Sequence, residues 1–236
     1  MPEADPRNTG SYTIQEASYY LLVPPATLRS WTFGRSYPTS VGDKFATPLI
    51  DVADHESRLL SFWNLVEAYG LSQLTKVHGV PFKNVRRGLE KLMEFDGVSP
   101  DTHPLASKKF LTDGRDLLIE HLGQTINLTE NGQTEIRETI DVFLSRVSWG
   151  TDGYANQWYP YTRDERSEQP KVIVMNPRIS FGRPVLVGTG IATDVVAGRF
   201  NAGESIQDLA RDYGRAADLI EEAVRCELLR TKAKSA

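Results

Sequence analysis

Apolar residues near the start of the chain recur at helical spacing and are then interrupted by two prolines. Thr13 and Glu16 have the spacing of a capping box, which satisfies the first backbone amides of a helix. The pattern predicts a helix over Ile14–Leu21. Pro24-Pro25 breaks the chain, because the residue before a proline leaves the helical basin, and a second helix is expected over Ala26–Trp31. Two short helices joined by a tight turn are typical of a helix-turn-helix.

The middle of the chain alternates between helical and extended patterns. Glycines and prolines punctuate the stretch from Gly34 to Ile50. Helical spacing then returns in four segments: Ser57–Leu71, Leu74–His78, Phe82–Met93 and Gln133–Val147. Between the last two segments the period changes, and a small antiparallel meander is expected over Leu105–Leu111, Asp116–Leu122 and Thr125–Leu128.

The last third of the chain predicts a connector followed by a small module. Two short strands are expected over Val172–Met175 and Val185–Val187, and Ser205 can cap a helix that Gly214 closes. A second helix follows, lined by Ile220, Ala223, Val224 and Leu228. The predicted fold is mainly α, of the α+β class. Its segments are an N-terminal domain over 11–147, an aromatic-rich connector over 148–170 and a strand–helix-turn-helix module over 171–236.

Composition favours a folded protein of the cytoplasm. The 236 residues are 40% hydrophobic and 25% charged, which is enough apolar material for one large or two modest domains. Cys226 is the only cysteine, so an intrachain disulfide is excluded. The first residues lack the basic-then-apolar pattern of a signal peptide, and no run approaches the roughly 20 apolar residues that cross a bilayer. We therefore expect no membrane association.

Charge is unevenly distributed along the chain, although the net charge is only -4. Between Lys76 and Lys91 there are five basic residues and a single acidic one. Between Glu204 and Glu227 there are seven acidic residues and three basic ones. The basic segment suits phosphates and the acidic segment repels them, which suggests that the two parts of the chain have different functions.

Two stretches resemble known families. Residues Pro177–Ile191 carry the pattern Pro-x-Ile-x-x-Gly-x-Pro-x-Leu-x-Gly-Thr-x-Ile. This resembles a small bacterial antitoxin-like family, long catalogued as a domain of unknown function, whose members are often partners of ribonuclease toxins. The N-terminal half resembles the MerR-like winged helix, which has its small wing where this chain has Gly34–Ile50. Together they resemble a VapB-like type II antitoxin that neutralises a PIN-like ribonuclease toxin, represses its own operator DNA and forms a homodimer.

Seven residues are candidates for DNA contact. In a helix-turn-helix the second helix lies in the major groove, and its first residues approach the base edges. The helix after Pro81 would turn its charged residues outward towards phosphates. The candidates are Thr27, Arg29, Ser30, Lys83, Asn84, Arg86 and Arg87. A compact helical hairpin with an ordinary solvated surface is the alternative interpretation of both patterns.

Six residues are candidates for toxin contact, and two hypotheses about them stay open. An arginine could enter the active site of a PIN-like ribonuclease and displace its metal ion. Alternatively, the acidic start of the last helix could cover a basic RNA-binding rim. The candidates are Arg178, Arg183, Arg199, Asp218, Glu221 and Glu222. Gly188-Thr189-Gly190 is better explained as a turn than as a phosphate loop, because no Gly-Lys-Ser/Thr follows.

The connector leaves a different function open. Its aromatic residues, Trp149, Tyr154, Trp158, Tyr159 and Tyr161, could dock on a domain, anchor an interface or enclose a small ligand. The alternative function is a stand-alone MerR-like regulator that responds to such a ligand, and a protein-interaction adaptor is a third. The four histidines are scattered without metal-site spacing, so we expect no enzyme, catalytic residue, metal or cofactor.

Overall fold

The computed structural model describes residues 4–40, 42–75, 81–96, 102–114, 116, 118–120, 130–160 and 170–235. The chain divides into two compact units, which we call unit 1 (Met1–Ala155) and unit 2 (Asn156–Ala236). Both units are mainly helical and carry short antiparallel strands. The predicted α+β class is consistent with this architecture.

Unit 1 begins with two short helices and a hairpin, and its longer helices follow. In chain order its described elements are α1 (Ile14–Leu21), α2 (Pro25–Thr32), β1 (Arg35–Thr39), β2 (Gly42–Ala46), α3 (Phe62–Leu74), α4 (Phe82–Asp96), α5 (Lys108–Asp113), α6 (Glu130–Ser145) and β3 (Val147–Trp149). A further strand, β4 (Ala155–Trp158), begins at the last residue of unit 1.

Local capping determines the bounds of α1 and α2. The Thr13 hydroxyl accepts the amide N–H of Glu16 at 3.2 Å, and the Glu16 carboxylate accepts the amide N–H of Thr13 at 2.9 Å. This is the predicted capping box, and the predicted bounds of α1 are confirmed. Leu22 ends the helix in the left-handed conformation with φ 54°, and Pro25 opens α2 at a position that needs no amide donor. The helix α2 is one residue longer at each end than predicted.

The helix α3 is the centre of unit 1, and nearly all of it is buried. Against it pack α1, α6 and the 3-10 turn Pro104–Ala106. It starts at Phe62, later than predicted, because the Ser61 hydroxyl accepts the amide N–H of Asn64 at 3.2 Å and so caps the helix there. It also runs through Leu74, where a separate helix was predicted to begin. Of the rest of that predicted helix, Thr75 is the C-cap of α3, and residues 76–78 lie outside the described residues.

The predicted meander is wrong wherever the structure describes it. Residues 104–106 form a 3-10 turn and Lys108–Asp113 form α5, whose first turn is capped by the Ser107 hydroxyl. Residues 116 and 118–120 are helical as well. The remaining meander positions, including Thr125–Leu128, lie outside the described residues. The predicted last helix of this unit is α6, but it ends at Ser145, and Val147 belongs to β3.

Unit 2 packs three helices on a two-stranded antiparallel sheet. Its described elements are β5 (Ile173–Val174), β6 (Val185–Leu186), α7 (Thr193–Asn201), α8 (Ile206–Tyr213) and α9 (Ala217–Ser235). The core consists of Ile173, Leu186, Val196, Leu209, Ile220, Ala223, Val224 and Cys226. The predicted cap and stop of α8 are confirmed, since Ser205 accepts the amide N–H of Asp208 at 3.1 Å and Gly214 closes the helix at φ 60°.

The helix α7 is an addition to the predicted elements. Within the part of the chain that the structure describes, no helix is long and apolar enough to span a membrane.

Candidate nucleic-acid and partner interfaces

An open groove of about 490 Å³ lies between α2, the β1–β2 hairpin and the start of α4. Its walls bring together two sets of predicted DNA-contact residues that are far apart in the sequence, Thr27 with Ser30 and Lys83 with Arg86. The complete lining is Ala26, Thr27, Ser30, Trp31, Arg35, Tyr37, Ala46, Phe82, Lys83 and Arg86. Among these described residues three are cationic and none is acidic, so the groove suits an anion.

The hairpin supplies groove residues that sequence reasoning missed. Strands β1 and β2 pair antiparallel with Arg35 opposite Ala46 and Tyr37 opposite Lys44. Because alternate residues of a strand share a face, Arg35 and Tyr37 both reach the groove. The available signal was the run of mostly polar residues around Pro38, with Gly42 at the turn.

The hairpin is set close against the end of α2 by Gly34. This residue has φ +71°, and a Cβ atom there would lie 2.4 Å from the Ala46 carbonyl oxygen and 2.5 Å from Phe45 Cζ. Only glycine fits such a combination of backbone conformation and contact. The backbone after the hairpin returns to α2 as well, since the amides of Leu49 and Ile50 donate to the Trp31 carbonyl at 2.8 and 3.1 Å.

An aromatic pair joins α2 to α4 at the base of the groove. The rings of Trp31 and Phe82 lie 5.7 Å apart between centroids and are tilted by 32°. Trp31 is only 3% exposed, so its ring is part of the core. The position of α2 relative to α4, which carries Lys83 and Arg86, therefore depends on packed apolar area.

Arg86 has a structural position in this groove. Its Nη1 donates to the Thr47 carbonyl at 2.8 Å and to Glu90 Oε1 at 3.2 Å, and its guanidinium lies 5.9 Å from the centre of the Phe82 ring. The side chain is 17% exposed. It ties α4 to the chain that leaves the hairpin, so Arg86 is less available to a phosphate than predicted.

The remaining DNA-contact candidates divide by exposure. Arg87 and Arg29 are exposed, but neither is among the described residues that line the groove. Asn84 is only 5% exposed, which corrects the expectation that it projects outward. The buried face of α4 includes Asn84 and Gly88 as well as Val85 and Leu89, and Asn84 and Gly88 lie about one helical turn apart.

In unit 2, Arg199 is held inside an ion-pair network. Its guanidinium donates to both carboxylate oxygens of Glu204 at 2.7 and 2.5 Å and to Asp212 at 2.5 Å, and it lies 5.0 Å from the centre of the Tyr213 ring. The hydrogen bond to Glu204 is the largest cause that raises the Arg199 pKa above its ordinary value. Arg199 therefore joins α7 to α8, and its charge is already compensated within the unit.

Arg178 and Arg183 have more open surroundings. Both are exposed on the loop between β5 and β6, and the Arg183 guanidinium lies 3.9 Å from Asp194 at the start of α7. A separation of this size between exposed groups is a weak interaction. These two arginines are the predicted toxin-contact cations that the structure leaves accessible.

The acidic start of α9 is partly neutralised. Asp218 is exposed and accepts the amide N–H of Leu219 at 2.9 Å, while Glu221 forms an ion pair with Arg225 one turn later. Glu222 is 6% exposed, which corrects its prediction as a surface contact. It lies on the same side of α9 as Ala223, Cys226 and the rest of the core.

Buried polar groups are present in both units. In unit 1 the Glu67 carboxylate contacts His103 Nδ1 at 3.1 Å and Asn64 Nδ2 at 3.3 Å, and burial raises the pKa of Glu67. In unit 2 Glu227 accepts from the Thr193 hydroxyl at 2.5 Å and from Arg230 Nη1 at 3.0 Å. All of these residues are less than a tenth exposed, so they stabilise the interior and offer no open site.

The aromatic residues of the predicted connector take part in packing. The Tyr154 ring lies 4.9 Å from that of Trp63, and the Trp149 ring lies 6.5 Å from that of Phe143. Trp158 is 2% exposed, and Lys171 lies 5.5 Å from the Tyr159 ring. Tyr161 lies outside the described residues. Among the residues that the structure describes, no group of three or more metal-binding side chains comes together.

Known proteins resemble this chain over almost its whole length. Residues 173–225 match the family described as "Protein of unknown function (DUF433)". A Mycobacterium tuberculosis protein named "Putative antitoxin VapB45" is 30% identical over 230 residues, which cover 90% of this chain and 92% of that protein. A second protein of the same organism, "Uncharacterized protein Rv2308", is 27% identical and is covered to 88%. The crystal structure of Rv2018 from M. tuberculosis matches 92% of this chain and 98% of its own, with a TM-score of 0.68 and 27% identity.

Proposed function

The chain belongs to the family of VapB45, and from this premise we propose that it is the antitoxin of a type II toxin–antitoxin system. In this proposal unit 2 binds and neutralises a PIN-like ribonuclease toxin. Unit 1 binds the operator of the same operon and represses it. Both activities belong to the cytoplasm, and a homodimer is the expected binding form, because operators are usually palindromic.

One observation carries the proposal, namely that the similarity to VapB45 spans both units. It covers 90% of the chain, whereas the match to the family of unknown function is confined to residues 173–225. A shared C-terminal module alone would relate this chain only to proteins that contain that module. Similarity along nearly all of VapB45 instead favours a shared overall role.

The groove of unit 1 supports the DNA-binding half of the proposal. The helix-turn-helix outline of α1 and α2 is followed directly by a hairpin, which agrees with a winged helix. In the proposed complex, Thr27 and Ser30 on α2 approach base edges in the major groove, and Arg35, Lys83 and Arg87 contact phosphates. Arg86 holds the hairpin in place through its hydrogen bond to Thr47.

The exposed arginines of unit 2 support the toxin-binding half. Arg178 and Arg183 are accessible cations on one loop, whereas Arg199 is compensated by Glu204 and Asp212. Two hypotheses are open. The exposed charges favour contact of this arginine loop with an acidic active site over coverage of a basic rim by α9. On that side Asp218 and Glu221 are both exposed, but Glu221 is paired with Arg225, and Glu222 is buried.

Growth rescue tests the antitoxin role. The small neighbouring open reading frame is expressed from an inducible promoter, with and without this full-length chain. Toxicity that the wild type relieves, and that the double variant Arg178→Glu/Arg183→Glu relieves less, supports neutralisation by unit 2. The charge reversal Arg211→Glu on α8 is the matched control. If the neighbour is harmless, or if the wild type does not relieve its toxicity, the proposed function is wrong.

Operator binding has its own test. Gel-shift affinity for the upstream DNA is measured against salt concentration for the wild type and for Lys83→Glu/Arg87→Glu. Each phosphate contact removed should lower the slope of log affinity against log salt by about one. Lys109→Glu, an exposed reversal on α5, serves as the control. An unchanged slope for the double variant would remove α4 from the DNA-contact surface.

The stand-alone ligand-responsive regulator is not favoured by the relation to VapB45. The aromatic residues that suggested a ligand cage are largely engaged in packing, as for Tyr154 against Trp63.

A further inference from the structure

Unit 2 exposes one aromatic side chain almost completely. Phe181 is 91% exposed, whereas the next most exposed large apolar residue among the described ones, Phe45, is 58% exposed. Phe181 lies on the loop between β5 and β6, between the two accessible arginines Arg178 and Arg183. An exposed phenylalanine ring contributes little to folding, because its apolar surface stays in water.

The backbone that presents Phe181 is strained. Ser180, Phe181 and Gly182 have φ angles of 48°, 56° and 76°, three consecutive residues in the left-handed region. Glycine adopts this conformation freely, but a residue with a Cβ atom does so at a cost in free energy. Strain of this kind persists only where the surroundings over-determine it, and it is concentrated at functional positions.

Hydrogen bonds that do not involve the Phe181 side chain hold the loop. The Ile179 amide donates to the Asn176 carbonyl at 2.9 Å, and the Arg178 amide donates to the Asn176 side chain at 2.9 Å. The Gly182 amide donates to the Ile179 carbonyl at 2.9 Å, and the Arg183 amide donates to the Ser180 carbonyl at 3.1 Å. The ring is thus presented on a preformed support, so that little conformational entropy is lost when a partner covers it.

An aromatic ring flanked by arginines has the composition of an interface hot spot. We propose that Phe181 anchors this protein on its toxin by inserting into an apolar socket whose rim carries carboxylates facing Arg178 and Arg183. This inference rests on the proposed function and adds to it the residue that supplies short-range contact. A two-fold contact between two copies through this loop would bring the same two arginines of each copy together, so charge complementarity favours the toxin as the occupant.

The test uses the full chain and the purified toxin, with affinity measured by calorimetry. Phe181→Gly and Phe181→Ala should each weaken toxin binding by at least about thirtyfold, the size expected for a hot-spot residue. Phe181→Tyr, which keeps the ring, should stay within about tenfold of the wild type. Leu228→Ala removes an exposed apolar side chain elsewhere in unit 2 and should leave toxin affinity within about threefold.

Stability and assembly readouts separate this role from a structural one. Phe181→Gly should melt within about 2 °C of the wild type or above it, because glycine relieves the strain at φ 56°. If the wild type binds toxin and Phe181→Gly binds equally well, the inference is wrong and the proposed function stands. If the wild type itself does not bind, both are wrong. Loss of self-association in place of toxin affinity would make a second copy the occupant and overturn the inference.

Discussion

In unit 1 the cations of the candidate site lie along an open groove, whereas in unit 2 most described arginines are already compensated. Arg35 and Lys83 line the groove without an acidic residue among the described lining. Among the described residues of unit 2, close ion pairs with carboxylates of the same unit are formed by Arg199, Arg211, Arg225 and Arg230. Unit 1 is thus suited to attract a polyanion from a distance, and unit 2 to recognise a partner at short range. The two proposed activities should therefore respond differently to the same change of conditions.

The largest expected difference is in salt dependence. Raising salt from 50 to 200 mM should lower operator affinity by about a thousandfold if some six phosphates are contacted, because bound counterions are released. Toxin affinity should change by less than about tenfold over the same range, because contact of an apolar ring is not screened. Parallel titrations of one protein preparation against DNA and toxin measure both. Equal salt dependence of operator affinity and toxin affinity would contradict the proposed difference between the two units.

Two glycines with positive φ give the next contrast. Gly34→Ala places a Cβ atom 2.4 Å from the Ala46 carbonyl oxygen, whereas a Cβ atom at Gly214 has nothing within 4 Å. Gly34→Ala should lower the free energy of unfolding of unit 1 by about 3 kcal/mol and weaken operator binding, since the hairpin must shift. Gly214→Ala should cost unit 2 about 1 kcal/mol. Hydrogen exchange resolves the two units, and equal losses would mean that the close contact at Gly34 is relieved cheaply.

Replacing a buried carboxylate by its amide should destabilise unit 2 at Glu227 but stabilise unit 1 at Glu67 at high pH. Glu227→Gln removes the charge that faces the buried Arg230 guanidinium and should cost about 2 kcal/mol. Glu67 has a raised pKa because of burial, so the unfolded chain loses this proton at lower pH than the folded one, and stability falls as pH rises above the unfolded pKa. Glu67→Gln should flatten that fall and be more stable than the wild type at pH 8.

Melting curves of both variants from pH 5 to pH 8 check this pair. If Glu67→Gln were instead less stable than the wild type at pH 8, the Glu67 carboxylate would be ionised and stabilised by His103.

The helix caps should give the smallest and most similar effects. Thr13→Ala and Ser205→Ala each remove a hydroxyl that accepts an amide N–H of the first helical turn, at 3.2 and 3.1 Å. Each should lower the free energy of unfolding of its unit by about 1 kcal/mol, measured by hydrogen exchange. A much larger loss at Thr13 would indicate that the position of α1 also depends on the cap.

The parts of the fold that were predicted correctly have local causes. The capping box at Thr13 and the left-handed stop at Gly214 act within a few residues, so sequence spacing alone revealed them. The meander was wrong because short apolar runs fit either strands or short helices, and the Ser107 cap that starts α5 was not recognised. The helix α7 was missed because Gly188, Gly190 and Gly198 surround or interrupt its apolar residues.

The candidate sites required contacts that spacing cannot reveal. Nothing near Arg86 in the sequence indicates that it donates to the carbonyl of Thr47, which directly follows β2. Phe82, Val85 and Leu89 predict one buried face for α4, but the buried face also includes Asn84 and, one turn later, Gly88. Phe181 has the appearance of a core residue in the sequence, but it is 91% exposed at a left-handed backbone position.

The lone thiol of the protein lies in the core of unit 2. Cys226 is fully buried, and burial raises its pKa to about 11, so a thiol reagent can modify it only when this unit opens. Its rate of alkylation therefore measures the opening of unit 2. Unit 1 does not contribute, because the chain has one cysteine. Because Cys226 is protected in the folded protein, a cysteine introduced on the surface could carry a fluorophore without first replacing Cys226.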